Sequence, residues 1–144
     1  MHRSAACAFA LATLAAPAHA SDRGVVIGEV SSNVTRRGVD YEILLRSASE
    51  EEVLSLDLRR VPRERRVIVS VALVRLDVDA DPRAAGASCK VSATVRDARK
   101  GAVFAILEGE ARATGQGSAG AAEATAVRGA LHGALAHIPE LLAR

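Results

Sequence analysis

Two segments, residues 88–96 and 102–113, constrain the fold of this chain most, because each alternates apolar and polar residues and Asp97-Ala98-Arg99-Lys100-Gly101 stands between them. Period-two alternation makes strands with one buried side. Asp97 can accept from the backbone N–H groups ahead of it, and Gly101 can take a positive φ, so an antiparallel hairpin is predicted. Pairing Arg96 with Ala102 sets Val95 against Val103, Ala93 against Ala105, Val91 against Leu107 and Cys89 against Gly109 on one face. The other face receives Thr94 against Phe104, Ser92 against Ile106 and Lys90 against Glu108. One face is apolar and the other mixed, so the hairpin needs cover on one side.

The rest of the chain supplies that cover. In 67–78, Val67, Val69, Val71 and Leu73 point one way and Ile68, Ala72, Val74 and Leu76 the other, which predicts a central strand covered on both sides. Residues 24–30 are β-branched and precede Ser31-Ser32-Asn33, as in an edge or first strand. Over 39–57, Tyr41, Leu44, Leu45 and Ala48 fall at helical spacing, although a strand over 39–46 followed by a helix capped by Ser49-x-x-Glu52 fits too. Pro62 makes 59–66 a connection. Ser118 is a predicted N-cap, and Val127, Ala130, Leu131, Ala134, Leu135 and Ile138 form one helical stripe that ends or kinks near Pro139. The alanines let this helix lie close on the sheet. The predicted class is α+β: a four-stranded, largely antiparallel sheet with two helices packed on it, in the order β-α-β-β-β-α.

Residues 1–20 read as a signal peptide, with Arg3 as the positive start, an apolar run over 5–16 and Ala18-His19-Ala20 as the cleavage site. That run is roughly a dozen residues, short of the roughly 20 that span a bilayer. No later apolar run approaches spanning length, so no transmembrane anchor is expected. Cys7 precedes most of the apolar run, which disfavours a lipid-carrying cysteine. The expected product is residues 21–144, one α+β domain in the periplasm or secreted. Only Arg3 of the 19 basic residues leaves with the signal, so 18 stand against 17 acidic ones, which is no nucleic-acid footprint. Aromatics at 2% and the absence of Trp also remove stacking platforms for bases. Cys89 alone remains after cleavage, so stability must come from packing without an internal disulfide.

Few residues carry chemistry. Gly115-x-Gly117-x-x-Gly120 matches a dinucleotide fingerprint but has no following strand to bear the ribose-binding acid, so no cofactor is expected. Asp77-x-Asp79-x-Asp81 alternates like a calcium loop, yet Pro82 stands where the turn Gly belongs and Ser88 where the bidentate Glu belongs. His132 and His137 are five apart on a helix with no cysteine beside them, which gives no zinc set, and no metal site is predicted. No nucleophile-elbow spacing occurs, so no catalytic residue is assigned and no enzyme is expected. Cys89, inside a strand on the apolar face, reads as a buried thiol.

The candidate contacts are of two kinds. Arg59, Arg60, Arg63, Arg65 and Arg66 could meet phosphate-bearing lipids or an acidic partner, or could form a solvated loop neutralised by Asp57, Glu64 and residues 50–52. Phe104 and Ile106 fall on the mixed face with Ser92, Thr94, Glu108 and Arg112; either the first helix covers them or they mark a partner contact.

In layout, strand-helix-strand-hairpin-helix behind a signal resembles small periplasmic domains of envelope-assembly proteins, the penicillin-binding-protein activator and curli-secretion lipoprotein group. The stretch from Ser88 to Leu142 is similar to uncharacterised secreted bacterial proteins. The resemblance implies a protein-binding accessory role beside another envelope protein and carries no catalytic residue. The lipid-bearing cysteine of the first group is absent. A small-ligand or cation-binding periplasmic protein is the alternative.

Overall fold

Strand β1 (Val25–Ser32) leads into helix α1 (Tyr41–Ser55), then strands β2 (Val67–Ala80), β3 (Ala85–Asp97) and β4 (Val103–Gly115), and finally helices α2 (Ala119–Leu135) and α3 (Ile138–Ala143). This is a computed structural model, and it describes residues 24–36, 38–80, 85–115 and 118–144; the signal-peptide reading of residues 1–20 falls outside them. The sheet order is β1-β2-β3-β4, with β1 parallel to β2 and the other neighbours antiparallel. A parallel pair requires a crossover, and α1 supplies it. The expected α+β architecture is therefore the one formed, with α3 as a short addition after a break at Ala136 and His137, Pro139 standing in its first turn.

Local chemistry sets the helix starts. Asp40 Oδ1 accepts from the N–H groups of Glu42 and Ile43, both at 3.1 Å, so α1 begins at Tyr41 and the alternative strand over 39–46 does not form. Ser49 is buried in mid-helix and caps nothing. Ser118 does cap α2, its Oγ accepting from Ala121 N at 3.2 Å. Among the described residues, no helix is long and apolar enough to cross a membrane.

Both long helices lie on one face of the sheet. That face buries Val25, Val69, Val71, Leu73, Val91 and Val95 against Leu45 of α1 and Leu131 and Leu135 of α2, with Ile138 and Leu142 closing the end. Small residues bring α2 close. A Cβ on Gly109 would stand 2.6 Å from Ala134 N and collide with the Ala130 carbonyl oxygen, so backbone meets backbone here.

Three strand expectations are corrected. The hairpin turn forms as read, with Gly101 at φ 69° and Asp97 Oδ1 accepting from Arg99 N at 2.8 Å and Lys100 N at 2.7 Å. Pairing beyond it is offset: by one residue where Arg96 faces Val103, and by two from there on, where Val95 faces Ala105 and Thr94 faces Ile106. Phe104 is the extra residue of a β-bulge, and the shift of two leaves the side chains beyond it on their expected faces, whereas Val103, expected on the apolar face opposite Val95, pairs with Arg96 and is exposed. A second bulge, at Val74, lies between the pairs Leu73–Val91 and Arg75–Lys90. It turns Leu76 and Val78 toward the helix side, opposite Cys89 and Ala87, where simple alternation had placed Leu76 with Ile68. Nor is β2 covered on both faces. With the two long helices on one side, Ile68 and Val74 remain exposed on the other.

Candidate functional site

The five arginines of 59–66 and the hairpin turn meet at one end of the sheet. Val67 pairs with both Val25 and Asp97, so the segments before β2 and after β3 emerge side by side. Ala98 N donates to Arg66 O at 2.9 Å and fixes the turn to the arginine connection. That connection is itself folded into turns, Val61 N donating to Leu58 O and Arg65 N to Pro62 O, each at 3.0 Å. The junction adds Arg96, Arg99 and Lys100 to Arg59, Arg60, Arg63, Arg65 and Arg66. Only Asp57, Glu64 and Asp97 oppose them within these segments.

The carboxylates here are largely committed. Asp57 takes the Arg59 guanidinium in a two-pronged pair, Nε at 2.8 Å and Nη2 at 2.7 Å, and this neighbour holds its carboxyl well below the usual range. Asp97 is also lowered, chiefly by the Lys100 and Arg99 backbone N–H groups of its own turn. Arg60, Arg63, Arg66, Arg96, Arg99 and Lys100 make no ion pair among the described residues. Between Arg59 and Arg63 lies a shallow hollow of about 380 Å³ lined by Leu54, Leu56, Leu58, Val61 and Pro62.

Apolar residues continue from this end onto the uncovered sheet face. Phe104 is 45% exposed and Ile106 65%, with Val103, Ile68 and Val26 also exposed, so α1 does not cover the predicted contact residues. The Arg65 guanidinium lies 5.7 Å from the Phe104 ring centroid, a cation–π distance. Its Nη1 is buried without a hydrogen-bond partner among the described residues. The two sets of candidate contacts, far apart in sequence, thus touch through Arg65 and Phe104. Arg59, held by Asp57, is the most neutralised of the group.

The opposite end of this face is different. Lys90 Nζ lies 3.0 Å from Glu108 and 3.2 Å from Glu110, and these carboxylates raise its pKa, Glu108 most. Arg75 Nε meets Asp77 at 2.6 Å. Asp77 and Asp79 belong to β2 and form no loop. Asp81 lies outside the described residues, as does Gly117 of the glycine motif. Cys89 is buried, and burial pushes its thiol up to about 11. His132 Nδ1 lies 2.7 Å from Glu52, bridging α2 to α1.

One constellation escaped the sequence reading. Glu123 of α2 is only 4% exposed, accepts from the Tyr41 hydroxyl at 2.8 Å and pairs with Arg36. It braces the β1–α1 connection against α2. The signal was available: Glu123 is the single acidic residue of α2 and lies on its apolar stripe, four residues before Val127.

Fold and surface together define an α+β domain whose sheet is covered on one side and presents a basic, partly apolar end on the other. No family model matches this chain, and no curated protein sequence does. In fold it is similar to a Xanthomonas campestris protein of the DUF330 family, at 11% identity and TM-score 0.50 over 75% of this chain and 76% of that one. It is also similar to PelC from Paraburkholderia phytofirmans, solved as a dodecamer, at 16% identity and TM-score 0.49 over 83% and 86% of the two chains.

Proposed function

We propose that this chain is an exported, non-enzymatic accessory domain of the cell envelope that works by docking. The sequence pattern of residues 1–20 supports export. The observation that carries docking is the meeting of Arg65 and Phe104, which joins the basic connection to an exposed apolar sheet end. Exposed apolar patches rimmed by polar groups mark contact surfaces, and no packing need of the core accounts for this one. Cell fractionation of the tagged chain tests the reading. The chain is expected outside the cytoplasm, beginning at Ser21 and sedimenting with envelope membranes, and Phe104→Asp with Ile106→Asp should release it to the soluble fraction. A cytoplasmic chain, or a double variant that still sediments, overturns it.

A further inference from the structure

We infer that the basic end is a docking surface for anionic phospholipid, with arginines on the phosphates and flanking apolar groups against the acyl boundary. This rests on the docking reading above and names its occupant. Three features separate a lipid surface from an acidic protein. Apart from Arg96 at the end of β3, the unpaired cations sit on two exposed connections held together by the Ala98–Arg66 hydrogen bond, which suits a plane of repeated phosphates. They are arginines except for Lys100, and a guanidinium fork matches phosphate in two-pronged fashion. Apolar groups accompany them on both sides: the leucine-lined hollow between Arg59 and Arg63, and Val103, Phe104 and Ile106 on the sheet. A carboxylate partner would need only the cations, whereas an anionic amphiphile uses both. The far end of the same face, where Lys90 lies between Glu108 and Glu110 and Arg75 meets Asp77, carries neither such a cluster of unpaired cations nor a comparable apolar cluster.

The chain purified after export should co-sediment with vesicles of phosphatidylglycerol and phosphatidylethanolamine and not with phosphatidylcholine vesicles. Binding should weaken as salt screens the contacts. Replacing Arg60, Arg63 and Arg66 together by Ala should weaken it about 100-fold, since each basic residue near an anionic surface contributes a substantial factor. Ile106→Thr should weaken it several-fold, and unchanged circular dichroism should show that both variants are folded. Free inorganic phosphate at millimolar concentration should not compete, because it lacks the apolar half; competition by it would assign a soluble phosphate site instead and overturn the membrane. Equal binding to phosphatidylcholine, or no loss in the triple variant, also overturns the inference. If no vesicle binds while fractionation still depends on Phe104 and Ile106, the occupant is a protein: the lipid inference fails and docking stands. If vesicles bind yet the double variant still sediments from cells, docking through the sheet end fails first.

Discussion

On the helix-covered face of the sheet, Gly109 leaves no space even for a methyl group beneath the backbone of α2, whereas three residues earlier on the same strand, Ile106 stands 65% exposed on the other face. Both belong to β4, and alternation sends them to opposite sides. Where α2 lies closest, the covered face is built from small residues, Val91, Gly109 and Ala111, because the two backbones approach so closely. The uncovered face keeps larger apolar side chains at its basic end and ion pairs such as Lys90–Glu108 and Arg75–Asp77 at the other. Stability and recognition are thereby separated within one strand, and substitutions on the two faces should have different consequences.

The strongest break should come at Gly109. Gly109→Ala is expected to cost about 3 kcal/mol in urea unfolding, the upper part of the overpacking range, because the obstruction is main chain rather than a movable side chain. For the same reason Ala130→Gly should not rescue it; rescue would show that side-chain crowding sets the helix distance. A smaller loss is expected where the covered side holds a charge. Glu123→Ala removes the acceptor for Tyr41 and the partner of Arg36, and about 2 kcal/mol should be lost, since the Tyr41 hydroxyl is left buried while the half-exposed Arg36 can turn to water. Glu123→Gln retains an acceptor for Tyr41 and should lose less. Equal losses in the two variants would assign the effect to charge alone.

The same contrast explains what the sequence made legible. Alternation in 88–113 specified the faces of the hairpin everywhere but at Val103, and Asp97 and Gly101 its turn, because these are local backbone requirements. The two-residue offset at Phe104 and the bulge at Val74 were hidden because a bulge adds a residue without disturbing composition. Alternation in 67–78 showed two apolar faces but not whether both would be covered, since that depends on which side α1 crosses. At the candidate site, the arginine run and Phe104 could each be found in sequence. Their contact could not, because it follows from the parallel crossover and the antiparallel return placing distant segments at one end. The brace at Glu123 was legible as a charge on an apolar stripe, but its partners Arg36 and Tyr41 lie more than eighty residues away.

The smallest stability effect should be at Ile106, and it sharpens the contrast most. Ile106→Thr retains the β-branched shape that suits a strand and faces Thr94 across the β3–β4 pair, where a Thr–Thr contact is itself favourable. Little buried apolar area is lost, because most of the Ile106 side chain already meets solvent. Unfolding free energy should therefore stay within about 0.5 kcal/mol of the parent, the ordinary range for surface positions. A loss above about 1.5 kcal/mol in urea unfolding would mean that the face is packed in solution, for example against a second copy. The concentration dependence of that loss would identify such a copy, because a dimer gains stability with protomer concentration and a lone domain does not.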